Sequence, residues 1–152
     1  MQKARRAARE LALNILYQVE TAGLPFEEAL ETAKGQSSLK EDSLNYAESL
    51  SRGVFEKREE LESEIRPLAP DWPPERQPSV DRNVLCIAIY EIKYMDDVPA
   101  VVSINEAVEL AKRFSTEDSG KFVNGVLAGY LRSKGYEIES QKAVCSSGEG
   151  LI

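Results

Sequence analysis

The chain has no histidine, two cysteines, few aromatic residues and no long apolar run, and each shortage removes a class of function. Missing histidine takes away the commonest general base and the commonest metal ligand. Two cysteines without histidine cannot complete a tetrahedral zinc site of the usual ligand types. Cys86 and Cys145 also lie far apart in unlike contexts, so no disulfide framework is expected and a reducing cytoplasm fits better. No apolar stretch approaches the length that spans a bilayer, and no apolar segment follows the basic N-terminus as a signal peptide would require. Phosphate-binding loops, dinucleotide fingerprints and nucleophile elbows are absent too. The expectation is therefore a protein that is not an enzyme, with no catalytic residues, no metal and no cofactor.

What is present suits one globular domain. The 152 residues are 42% hydrophobic and 30% charged, which supports a core and argues against disorder. Net charge is −7, but it is unevenly placed. Residues 1–9 hold Lys3, Arg5, Arg6 and Arg9 and no acid, while the rest of the chain has a balance of −11. A concentrated basic end on an acidic protein suggests a local anion site.

Periodicity predicts helices throughout, and strand signals are weak. Ala4, Ala8, Leu11, Ala12, Ile15, Leu16 and Val19 form an amphipathic stripe from about Lys3 to Thr21, stopped by Gly23. Pro25 opens a second helix carrying Phe26, Ala29, Leu30 and Ala33, with Gly35 as its end. Leu39 to Ile65 reads as one long helix, or two with a break near Gly53. Residues 67–78, "PLAPDWPPERQP", hold five of the seven prolines, so no long helix is expected there, only a short turn of helix at most. Trp72 in this connection reads as a packing plug between two halves. Ser79 reads as the N-cap of a central helix running to Met95 and apolar over most of its circumference. "DDVPAVV" breaks it, and Ser103-Ile104-Asn105-Glu106 reads as a capping box for the next helix.

The segment "KFVNGVLAGYL" (121–131) contains Asn-Gly, a strong hairpin signal. Its large apolar residues at 122, 123, 126, 127, 130 and 131 repeat at helical spacing, so a helix is expected, closed by Gly135. Gly125 and Gly129 then each cost about 1 kcal/mol against alanine. They leave a smooth strip for close approach of a helix or of a ligand backbone, with helix packing favoured at Gly129. One domain is expected over residues 1–139, with sub-bundles at about 3–66 and 79–135, connection 67–78, and a disordered tail over 140–152.

"SINEAVELAKRFSTEDSGKFVNGVLA" (103–128) resembles the signature of the NusB transcription antitermination factors. "ARRAARELALNILYQ" (4–18) resembles their arginine-rich first helix, and "VDRNVLCIAIYEI" with "DDVPAVVSINEA" fills the middle in the same order. The resemblance spans about residues 3–136. It implies an all-α fold of about seven helices in two small sub-bundles. It further implies binding of boxA-type single-stranded RNA together with NusE, a small-subunit ribosomal protein. The pair is delivered to the elongating RNA polymerase with other Nus factors, notably on ribosomal RNA operons. Monomers and homodimers both fit. A related domain occurs in ribosomal RNA cytosine methyltransferases, and the chain fits that alternative only as a part of such a protein. A helical bundle that binds only proteins is a further alternative.

Lys3, Arg5, Arg6 and Arg9 are the first candidate RNA contacts. Helical spacing spreads the arginines over the outward face, where guanidinium forks suit phosphate. A merely solubilising face reads equally well from the residues alone, and the resemblance favours RNA. Lys121 and Phe122 are placed at the start of the last helix, where free amides favour an anion. Phe122 either stacks on an unpaired base or packs in the core. Asp118, one turn earlier, would lie near bound phosphate. The resemblance also implies that Tyr17 and Asp81 meet NusE. Alone, Tyr17 reads as a core tyrosine with a surface hydroxyl, and Asp81 as a helix-start carboxylate.

Overall fold

The computed structural model describes residues 2–135, with side chains from Arg5 onward. Seven α-helices make up this span: α1 (Gln2–Ala22), α2 (Phe26–Gln36), α3 (Glu41–Glu56), α4 (Arg58–Ile65), α5 (Ser79–Tyr94), α6 (Ala100–Phe114) and α7 (Glu117–Ser133). Two short 3-10 turns, Arg66–Leu68 and Pro74–Arg76, lie in the proline-rich connection. No strand occurs among the described residues. None of their helices is long and apolar enough to cross a membrane.

α1, α2 and α3 pack on one another, as do α5, α6 and α7, while α1 and α3 also pack on α5. The apolar stripe of α1 supplies Ala8, Ala12, Leu13, Ile15 and Leu16 to the interior. α5 is the centre, since Val84 to Ile89 are buried without interruption. A helix buried on all sides must be apolar on all sides, which is the pattern its sequence shows. Each fully buried Leu or Ile here contributes about 1.5–3 kcal/mol. Ile15, Phe26, Ala29 and Leu30 form a second, smaller cluster under α2. Gly23 and Gly135 have φ of 68° and 74°, the left-handed conformation that ends α1 and α7.

Several local expectations are corrected. The break after α3 falls at Lys57, one turn beyond Gly53. Gly53 serves packing instead: a β-carbon there would overlap Cζ of Tyr90. Ser79 is the first helical residue of α5 and not its side-chain cap; its hydroxyl donates to Glu20 on α1. The Ser103/Glu106 capping box does not exist, because Pro99 precedes the start of α6 one turn earlier. Its two members turn inward to Glu91 and to Arg6. α7 begins at Glu117, capped by the Thr116 hydroxyl, which accepts from Ser119 N–H. Lys121 and Phe122 therefore lie beyond its first turn, and the free amides expected beside them are spent earlier in the helix. α2 ends one residue beyond Gly35, at Gln36. Trp72 is 37% exposed and packs on Phe122 of α7. The tail expected over 140–152 falls outside the described residues.

Candidate nucleic-acid interface

α1 enters the bundle with its three arginines, Arg5, Arg6 and Arg9, already paired with acids. Arg5 Nη2 donates to Asp97 at 2.8 Å, and its guanidinium lies 4.3 Å from the centre of the Tyr46 ring. Arg6 makes a two-pronged contact with Glu106, Nε to Oε1 and Nη2 to Oε2, both at 2.8 Å. That contact holds the Glu106 carboxyl below its usual range, through the Arg6 hydrogen bond first. Arg9 is the correction. It does not face outward but is 1% exposed, with Nε 2.7 Å from Glu91. Position 9 continues the stripe of Leu13 and Leu16, so its side chain enters the interior and needs a buried acid there. Glu91 also accepts from Tyr46 at 2.5 Å and from Ser103 at 2.8 Å. One carboxylate thus ties α1, α3, α5 and α6. Burial, followed by the charge of Glu91, pushes the Tyr46 hydroxyl well above its usual value. The Lys3 side chain lies outside those described.

The start of α7 has a different character. Lys121 is exposed and forms no ion pair among the described residues, and Asp118 is exposed in the first turn. Phe122 is half-buried, its ring edge-on to Trp72 at 4.8 Å between centroids. Phe122 also packs against the main core cluster. A β-carbon at Gly125 would meet nothing within 4 Å, so no helix packs there. At Gly129 it would be in ordinary contact with Leu68 at 3.5 Å, so the smooth strip is not a close helix crossing.

The two partner-facing candidates separate. Tyr17 is 40% exposed and lines an open groove of about 750 Å³ with Ala7, Leu11, Asn14, Leu39 and Phe114. Phe114 is itself 45% exposed. Asp81 is fully buried, which removes it from any surface a partner touches here. Its Oδ2 accepts from the Ser119 hydroxyl at 2.9 Å, joining the starts of α5 and α7. Sequence reasoning missed Glu91, Glu106, Tyr46 and Asp97, the acceptors and ring that hold the arginines. Glu91 had one visible signal, a lone acid inside the otherwise apolar "CIAIYEI". No group of acids, cysteines or histidines that could hold a metal occurs among the described residues.

Fold and site together define an all-helical binding module whose first helix presents charge-paired arginines at one end. The NusB family model matches residues 6–132, and the chain belongs to this family, whose curated members are transcription antitermination proteins. It is 45% identical over 124 residues to transcription antitermination protein NusB of Ruminiclostridium cellulolyticum, covering 82% of this chain and 86% of the relative. Identity to the Symbiobacterium thermophilum protein of the same name is 43%, over 85% of this chain and 90% of that one. Among solved structures, T. maritima NusB superposes with a TM-score of 0.78 at 35% identity, covering 84% of this chain and 90% of that one. A crystal structure of antitermination factors NusB and NusE with double-stranded RNA matches with a TM-score of 0.79 at 27% identity, over 88% and 99% of the two chains.

Proposed function

We propose that this chain is an antitermination factor that binds boxA-type single-stranded RNA together with NusE and acts on the elongating RNA polymerase with other Nus factors, notably on ribosomal RNA operons. It works in the cytoplasm and without catalysis. The observation that carries this reading is the family match over residues 6–132, joined by a solved relative held with NusE and RNA. The domain is taken as residues 1–139, with sub-bundles at about 3–66 and 79–135.

RNA contacts are assigned to the first turns of α1 and to Lys121 and Phe122. Arg5 and Arg6 present guanidinium groups, and Phe122, which is not fully buried, is assigned to stacking. NusE is assigned to the groove beside Tyr17, whose open, partly apolar lining suits a protein partner. Asp81, buried and bonded to Ser119, is not assigned a NusE contact.

The test is a filter-binding titration with boxA RNA and a scrambled control, each with and without NusE. Preference for boxA that strengthens with NusE is expected. Equal binding of both RNAs in both conditions would sink this reading and favour a bundle that binds only proteins.

A further inference from the structure

Arg9 carries an imbalance that its ion pair with Glu91 leaves in place. Its Nη1 and Nη2 are buried and donate no hydrogen bond among the described residues. An acceptor stands just out of reach: Glu106 Oε1 is 3.9 Å from Arg9 Nη1, beyond hydrogen-bond distance. Both Glu106 oxygens are turned instead to Arg6. The Arg6 side chain is 51% exposed, against 7% for Glu106 and 2% for Arg9. One carboxylate therefore lies between a wet guanidinium and a dry one, and the wet one holds it. Leaving charged donors buried without acceptors is unfavourable, so the arrangement is poised.

We propose that Glu106 is an exchangeable counter-ion: when Arg6 leaves it for an RNA phosphate, Glu106 turns onto the free Nη groups of Arg9. Arg9 and Glu106 are then positioning residues that set how readily Arg6 is released, although Arg9 touches no RNA. This rests on the RNA-binding reading above. Phosphate matches the guanidinium fork as well as the carboxylate does. Freeing Arg6 would otherwise strand a nearly buried carboxylate, the costly half of a broken ion pair. Arg9 removes that penalty because its donors are already in place and already dry. The Arg5–Asp97 pair needs no such relay, since Asp97 is 66% exposed and is resolvated when released.

The test is a double-mutant cycle on RNA affinity. Arg9→Met is made in the wild type and in Glu106→Gln, with urea melts to confirm that each variant folds. Short single-stranded RNA carrying boxA is titrated, with a scrambled control. With Glu106 present, Arg9→Met should weaken binding about tenfold, and in the Glu106→Gln background by less than about twofold. Equal losses in both backgrounds, or none in either, would overturn the exchange. If Arg9→Met does not fold, side-chain NMR of the unsubstituted, arginine-labelled protein reads the same event. Arg9 Nη protons should become protected as the Arg6 Nε signal shifts with added RNA. An Arg6 shift with unchanged Arg9 resonances overturns the proposal. Identical binding of boxA and scrambled RNA defeats the functional reading alone, because phosphate of either strand still drives the exchange in these spectra.

Discussion

The first turns of α1 and the start of α7 both bring basic groups to the surface, yet they meet solvent in opposite electrical states. On α1, Arg5, Arg6 and Arg9 each already have a carboxylate, on Asp97, Glu106 and Glu91. On α7, Lys121 stands exposed without an acid partner among the described residues, beside the half-open ring of Phe122. An anion arriving at α7 adds to what is there, whereas one arriving at α1 must replace something. The same formal charge thus contributes differently, and a count of basic residues does not measure a binding surface.

The largest expected difference between the two ends is in stability. Arg9→Met strands Glu91 in the interior and should cost about 3–5 kcal/mol in a urea titration. Lys121→Ala should stay within about 0.5 kcal/mol of the parent. A loss below about 1 kcal/mol at Arg9 would mean that water reaches the site and that the contrast is false.

Next in size is the aromatic ring. Phe122→Leu should weaken RNA binding by about 1–3 kcal/mol. It should lower stability by less, because leucine keeps most of the apolar volume packed on the core and gives up mainly the edge-on contact with Trp72, about 0.5–1.5 kcal/mol. Reversed magnitudes would make Phe122 a core residue and leave α7 without a stacking platform.

Salt dependence sharpens the comparison further. Lys121→Ala and Arg6→Ala should each flatten the slope of log K against log salt by about 0.7. Arg5→Ala should flatten it by less, since a released, exposed Asp97 takes up a cation and offsets part of the release. A full effect at Arg5 would show that its pair with Asp97 does not compete with phosphate.

The smallest effect concerns acid. Glu106 is held below its usual range by Arg6, so the stability it contributes is complete above the unfolded value of about 4.3. That contribution disappears as pH falls through the lower folded value. Wild type should therefore exceed Glu106→Gln in urea midpoint at neutral pH and lose the advantage in acid. A difference that is flat with pH would place the effect in packing.

Much of the helical frame was legible because it follows from local spacing. The stripe of α1 and the encircling apolar pattern of α5 are properties of near neighbours along the chain. The pairing of Arg6 with Glu106 joins residues 100 positions apart, and no periodicity reports it. Glu106 was misread for a physical reason: serine and glutamate three apart form a cap only at a helix start, and Pro99 had already set that start. Arg9 could have been placed correctly. It stands four residues before Leu13 and seven before Leu16, on the buried stripe, where a charge implies an acid elsewhere in the interior. Asp81 looked like a dipole partner for its own helix, and folding turned it toward Ser119 on another.

Gly53 has a consequence beyond its own contact. The Tyr90 ring occupies the space that any β-carbon at position 53 would need. One turn back along α3, Ser49 would bring a side chain under that ring. The glycine therefore works as a keyway: α3 can slide along α5 only by colliding with Tyr90. Because Glu91 is the next residue, the same notch sets the height at which Tyr46 meets Glu91. A missing methyl group in one helix thus sets its register on the helix that carries the buried carboxylate.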